Sequence, residues 1–207
     1  MESYIAFDLE TSGLSASTSE IIEIGAWKVE KGVVVQKFVT LVKQNGYLSR
    51  EIQNITGITP LMLRDAPSMK VVMPAFIEFC GDYPFLAHNL QFDYRFLCAA
   101  AERMGLDVTL NGERTGVDTL DLSRGYCPDV PNHKLGTMAE HFGIHLEADD
   151  LQYHRAEYDA FVTKLLYDKF LENEEWREHV GMPYLLTTPK KDTKYGKAVN
   201  NGTLSFT

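Results

Sequence analysis

Four carboxylates and one histidine hold most of the chemistry open to this chain of 207 residues. Asp8 and Glu10 lie in Tyr4-Ile5-Ala6-Phe7-Asp8-Leu9-Glu10-Thr11, Asp93 closes His88-Asn89-Leu90-Gln91-Phe92-Asp93, and His154-Arg155-Ala156-Glu157-Tyr158-Asp159 is bounded by His154 and Asp159. In a strand alternate side chains share a face, so Asp8 and Glu10 project into one space while Phe7 and Leu9 take the other side. At about 100° per residue, a helix after Asn89 places Asp93 inside the arc of Phe92, Phe96, Leu97, Ala100 and Met104. In the last long helix an apolar stripe runs from Tyr158 through Phe161, Val162, Leu165, Leu166 and Phe170, and Asp159 projects into it between Leu166 and Phe170.

Each acid alone has an ordinary structural reading. Asp8 can cap the turn after its strand, and Asp93 and Asp159 stand at helix N-termini, where the dipole favours them. A strand and two helices that all turn acids inward are poorly explained by three separate caps. Buried carboxylates protonate, pair or bind cations, and no Lys or Arg recurs at a spacing that would pair with all four. An oxygen-only donor set suits Mg²⁺ or Mn²⁺ rather than zinc. Two such ions clamp the attacking and leaving oxygens of an in-line phosphoryl displacement, so the expected chemistry is phosphodiester hydrolysis. His154 would lie about 140° from Asp159 if both were helical. It is better placed on the loop before that helix, as a base that titrates near neutral pH. His141 and His145 form no zinc site, because Gly143 interrupts their helix and no HExxH pattern exists. His88, beside Asn89 at a strand end, is read as ordering the loop.

Positioning these groups takes alternating elements. Residues 4–8, Ile21–Glu30 and Val33–Val42 read as an antiparallel meander. Ser49–Thr56, Leu61–Leu63 and Val71–Phe79 read as helices, Pro84–Ala87 as a buried strand and Gln91–Met104 as a helix ended by Gly105. A short strand at Gly116-Val117 then precedes helices over Thr119–Tyr126, His133–Phe142 and Glu157–Glu172. The pattern predicts an α/β fold with a mixed sheet covered by helices. Length and composition suit one domain, 1–182. In the remainder, 183–207, apolar periodicity stops and Pro189–Lys197 carries four lysines against one aspartate, which predicts a tail, with Asn201-Gly202 turning a small terminal hairpin.

The net charge of −9, from 20 basic against 29 acidic residues, argues against gripping long duplex through a basic surface. Short or single-stranded nucleic acid reached through bound cations remains. The opening residues lack the basic and long apolar regions of a signal peptide, and nothing later approaches a membrane span. Cys80, Cys98 and Cys127 are odd in number, widely spaced and set among apolar neighbours, so reduced thiols and a cytoplasmic location are expected.

These motifs resemble the DEDD superfamily of exonucleases, in the DEDDh (DnaQ-like) branch typified by the proofreading epsilon subunit of bacterial DNA polymerase III. The resemblance rests on Phe7-Asp8-Leu9-Glu10-Thr11-Ser12-Gly13-Leu14, Ala87-His88-Asn89-Leu90-Gln91-Phe92-Asp93 and the run His154–Asp159. Ile55-Thr56-Gly57-Ile58-Thr59, Val117-Asp118-Thr119-Leu120 and His133–Ala139 also look like the family, and the likeness covers about residues 1–172. The branch rests on His154-x4-Asp159; a sister branch would need Tyr where Arg155 stands. The resemblance implies a ribonuclease-H-like fold with a mixed five-stranded sheet. It implies two divalent ions on Asp8, Glu10, Asp93 and Asp159, water activation by His154, and release of nucleoside 5′-monophosphates from DNA 3′ ends, single-stranded or frayed. Leu9, Thr11, Gly13, Leu14, His88, Asn89 and Phe92 would contact substrate, with proofreading or repair beside a DNA polymerase as the setting. The alternatives are a 3′–5′ exoribonuclease of the oligoribonuclease or RNase T type, and a non-catalytic polymerase-interaction module.

Overall fold

The computed structural model describes residues 1–44, 46–146 and 155–187. The β-branched and aromatic runs Tyr4–Thr11, Ile21–Glu30 and Val33–Leu41 form strands β1, β2 and β3, paired antiparallel in sequence. β4 (Phe85–Ala87) lies parallel to β1 on its other side, and β5 (Thr115–Asp118) lies parallel to β4. The sheet is therefore mixed, and helices cover it, as the alternation of patterns implied.

A sixth strand, β6 (Tyr184–Leu185), pairs antiparallel with β5 and completes the order β3-β2-β1-β4-β5-β6. The sheet thus has six strands where the family resemblance implied five. Part of the stretch expected to be a tail is seated in the fold: Leu186 is buried, and its N–H donates to the Arg114 carbonyl at 2.8 Å. The reason is local shape. A Cβ on Gly116 would meet Leu90 Cδ2 at 2.7 Å and Leu186 Cδ1 at 3.3 Å, so the bare glycine backbone leaves a seat that leucine fills. The terminal hairpin expected at Asn201-Gly202 lies outside the described residues.

The helices are α1 (Arg50–Thr56), α2 (Pro60–Arg64), α3 (Met69–Cys80), α4 (Leu90–Glu102), α5 (Thr119–Tyr126), α6 (Leu135–His141), α7 (Ala156–Glu172) and α8 (Arg177–Val180). α1 starts where Ser49 Oγ accepts the Ile52 N–H at 3.2 Å, and α2 where Thr59 Oγ1 accepts that of Met62. Two layers flank the sheet. One face buries Ile5, Phe7 and Leu9 of β1 against α3 and α4, through residues such as Met73, Phe76, Tyr94 and Leu97. The opposite face buries Tyr4 and Ala6 against α6 and α7, through Met138, Tyr158, Val162 and Leu166. Burying each large apolar side chain contributes roughly 1.5–3 kcal/mol, so these two clusters hold the helices in place more than propensity does. Among the described residues no helix is long and apolar enough to cross a membrane, and Cys80, Cys98 and Cys127 are free thiols.

Candidate active site

The site forms at the C-terminal edge of β1. In the β1–β2 register Asp8 faces Gly25 and Glu10 faces Glu23. Residues directly opposite in an antiparallel pair share a face, so these four positions all point toward the layer that contains α7. Gly25 has no side chain for a spatial reason: a Cβ there would lie 2.2 Å from the carbonyl carbon of Ala156 and from the Glu157 nitrogen. The first turn of α7 therefore rests directly on the backbone of β2.

Glu23 anchors that turn. It is 1% exposed. Its carboxylate accepts Arg155 Nε–H at 3.0 Å and the Ala156 N–H at 3.1 Å, with a further close contact from Arg155 Nη2. Trp27 Nε1–H donates to the Glu157 carbonyl at 3.0 Å, and Lys37 pairs with the Glu157 carboxylate at 2.8 Å. With α7 held this way, Asp159 in its first turn reaches β1. One oxygen each from Asp8, Glu10 and Asp159 lie within 4.8 Å of one another, at a partly exposed edge.

Asp93 arrives from the other layer. It sits in the first turn of α4 and is 3% exposed. The start of α4 is held by Asp118 at the end of β5, whose carboxylate accepts the Asn89 and Leu90 N–H groups, each at 2.9 Å. The same carboxylate caps α5 through the Leu120 N–H at 2.9 Å. Asp93 stands beside the trio rather than within it, and among the neighbouring charges it raises Asp8 the most.

The electrostatics follow from this crowding. Burial holds the Asp8 carboxyl well above the ordinary carboxylate range, and the charges of Asp93, Asp159, Glu10 and Glu23 add to the effect. Glu10 is pushed up to about 8, chiefly by burial and then by Asp159 and Glu23, while Arg155 pulls it back. Asp93 is raised by burial and by Asp118, against hydrogen bonds from its own N–H and that of Leu9. Arg155, the guanidinium beside Glu10, is committed to Glu23. Oxygen donors this close, with Asp8 and Glu10 both held reluctant to ionise, fit a hard divalent cation. The residues present could therefore hold a metal ion.

The other expected residues are distributed unevenly. Leu9, expected among the substrate contacts, has its side chain in the core at 5% exposure, because strand alternation turns it away from Asp8 and Glu10. Only its backbone faces the site, and there its N–H serves Asp93. Thr11 is buried and donates to the Gly13 carbonyl at 2.7 Å, closing the turn that leaves Leu14 at 85% exposure. Phe92 packs on Phe96 with ring centroids 5.0 Å apart. His88 is a tether: Nδ1 lies 2.9 Å from Thr119 Oγ1 and Nε2 lies 2.7 Å from the His133 carbonyl. Burial pushes its pKa down to about 4. Asn89 holds φ +73° at the head of α4. His154 lies outside the described residues. Glu23, Gly25 and Arg155 were not singled out by sequence reasoning. The available signal was a glutamate inside an isoleucine-rich strand, two residues before a glycine.

With this geometry in hand, comparison with known proteins is informative. A family profile described as an exonuclease matches residues 5–167. The PolC-type DNA polymerase III of Caldanaerobacter subterraneus subsp. tengcongensis is 41% identical over 169 residues, 82% of this chain and 12% of that protein. Its counterpart in Bacillus cereus is 39% identical over 172 residues, 83% of this chain and again 12% of that protein. The chain thus spans about an eighth of the length of these curated relatives. Among solved structures, Exonuclease X in complex with 5′ overhanging duplex DNA superposes with a TM-score of 0.66 at 24% identity, covering 86% of this chain and 98% of that one. E. coli Exonuclease I in complex with a dA16 oligonucleotide superposes with a TM-score of 0.72 at 17% identity, covering 86% of this chain and 43% of that one. At such identities these two structures speak to the fold.

Proposed function

This chain belongs to the exonuclease family, and we propose that it hydrolyses phosphodiester bonds at the 3′ end of DNA and releases nucleoside 5′-monophosphates. The observation that carries the reading is the trio of Asp8, Glu10 and Asp159, with ligand oxygens within 4.8 Å of one another and buried Asp93 alongside. In this reading the four carboxylates hold two ions, Mg²⁺ or Mn²⁺. Bound there, the ions would lower the pKa of a water and neutralise charge on the attacking and leaving oxygens. His154, five residues before Asp159 in sequence, would take the proton of the attacking water. The exposed Leu14, on the turn closed by Thr11 and Gly13, would lie against the terminal nucleotide, with Phe92 beside it.

DNA is favoured over RNA because the relatives near 40% identity are DNA polymerases by name. The same likeness supports a role in proofreading or repair beside a polymerase, in the cytoplasm. The test is a digestion panel in Mg²⁺ or Mn²⁺, with 5′-labelled single-stranded DNA, mismatched duplex and short RNA side by side. The expected result is a ladder of shortened DNA with mononucleotide product, lost in Asp159→Ala. RNA shortened faster than DNA would move the assignment to an exoribonuclease. All three substrates left at full length would leave a non-catalytic module.

A further inference from the structure

Resting on that nuclease reading, we propose that the pocket of 560 Å³ lined by His88, Asn89, Arg124, His133 and Lys134 seats the backbone phosphates upstream of the scissile bond. Its position follows from the sheet. β1, β4 and β5 run parallel, so Glu10, His88 and Asp118 come to the same edge. Neighbouring strands are spaced about 4.8 Å apart, which sets the pocket mouth roughly two strand spacings from Asp8. A strand whose last phosphate meets the carboxylates would pass the pocket mouth if it leaves along that edge toward β5.

The lining chemistry suits a polyanion. The chain carries −9 overall, so cations held by the carboxylates would serve the scissile phosphate, while the phosphates behind it would face an acidic protein. Arg124 and Lys134 are both exposed at the pocket. Arg124 leans on Asp121 at 3.5 Å, with both side chains more than half exposed, a pairing weak enough to yield to phosphate. Among the described residues Lys134 Nζ has no acidic partner. Guanidinium offers a planar fork and ammonium a point charge, and both are phosphate ligands. Asn89 adds a neutral donor: it is exposed, makes no side-chain cap to its own helix and lines the pocket. The helix N-terminus itself is not the binding element, since Asp118 occupies the first amides of α4. His88 is the wall: its two tethers lock Asn89 against α5 and the loop before α6.

The test is the double variant Arg124→Glu/Lys134→Glu, compared with wild type on substrates of increasing length. On single-stranded DNA of several nucleotides the KM should rise about tenfold or more. The plot of log binding constant against log salt, read by anisotropy in Ca²⁺ with a 5′-labelled strand, should flatten by about 0.7 for each lost phosphate contact. On the p-nitrophenyl ester of thymidine 5′-monophosphate, which has no upstream phosphate, kcat/KM should change less than about twofold. Lys134→Ala alone should give about half the change in slope. Equal losses on ester and oligonucleotide would overturn the inference by making the pocket part of the catalytic centre or of folding. An unchanged salt slope would overturn it outright. A wild-type protein that hydrolyses neither substrate would instead defeat the nuclease reading, and the anisotropy slopes would still judge the pocket.

Discussion

α4 and α7 bring Asp93 and Asp159 to one sheet edge from opposite layers, yet their first turns are anchored by different chemistry. The α7 anchor is charge-compensated: buried Glu23 accepts from the Arg155 guanidinium as well as the Ala156 N–H. The α4 anchor is a lone carboxylate, Asp118, satisfied by the N–H groups of Asn89, Leu90 and Leu120. Burial pushes Asp118 up to about 6, Asp121 adds to that rise, and the three N–H groups oppose it. Both anchors satisfy orphan amides at a helix start. Only the first brings a cation of its own, so the α4 side adds negative charge to a place already crowded with it. An anionic site can thus be braced rigidly from one side and left in need of external cations on the other.

The largest expected effect comes from breaking the compensated anchor. Glu23→Ala strands the guanidinium and an amide that α7 depends on, and should cost about 3 kcal/mol of stability in urea unfolding. Because Asp159 would lose its seat, Mn²⁺ affinity measured by calorimetry should weaken in the same protein. An unaltered metal affinity would show that the anchor does not position Asp159.

Adding divalent cations should come next in size. Mg²⁺ or Mn²⁺ at about a hundred times its dissociation constant should stabilise the protein by roughly 2.7 kcal/mol, seen as a higher melting temperature than in EDTA. Flat melting across millimolar metal would speak against a preformed site.

Acidity offers a finer probe of the same charge crowding. Glu10 titrates at about 8 in the folded protein, above the ordinary 4.5, so the folded state binds more protons than the unfolded one between those values. Its contribution to stability is full below the unfolded pKa and is lost as pH rises through the folded one. His88, depressed to about 4, acts in the opposite direction only up to the ordinary histidine range. In EDTA the melting temperature should therefore fall from pH 7 to 8.5, and Glu10→Gln should flatten that fall. A wild-type melting temperature that rises over this window would contradict the crowding.

The smallest effect belongs to the uncompensated anchor. Asp118→Asn keeps one oxygen for the Asn89 and Leu120 N–H groups, turns an NH2 toward that of Leu90 and removes a charge that repels Asp93, so the loss and the gain should offset to a cost of about 1 kcal/mol in urea. A loss larger than that of Glu23→Ala would invert the comparison.

The strands of the meander and the buried β4 were legible because alternation and β-branching are local properties, and α5 matched its expected span for the same reason. β6 was not legible, since two residues carry no periodicity and its place depends on the seat at Gly116. Asp8, Glu10 and Asp159 could be nominated because each contradicts the pattern around it: an acid on an inward face is visible without knowing what it meets. Glu23 and Arg155 were hidden, being 132 residues apart, with neither anomalous until the other is found. Leu9 shows the limit of a motif: the resemblance implies a substrate contact there, and strand alternation leaves only its backbone facing the site.

The chain by itself determined which residues are acidic, where turns and helices start, and which faces must leave water, because those depend on residues within a few positions of each other. Tertiary structure alone decided that three carboxylates converge, that α7 lies on the bare backbone of Gly25, and that one helix start is neutralised and the other is not. Those outcomes depend on distances between elements far apart in sequence, and charge repulsion, which falls off with distance, has no value until those distances exist.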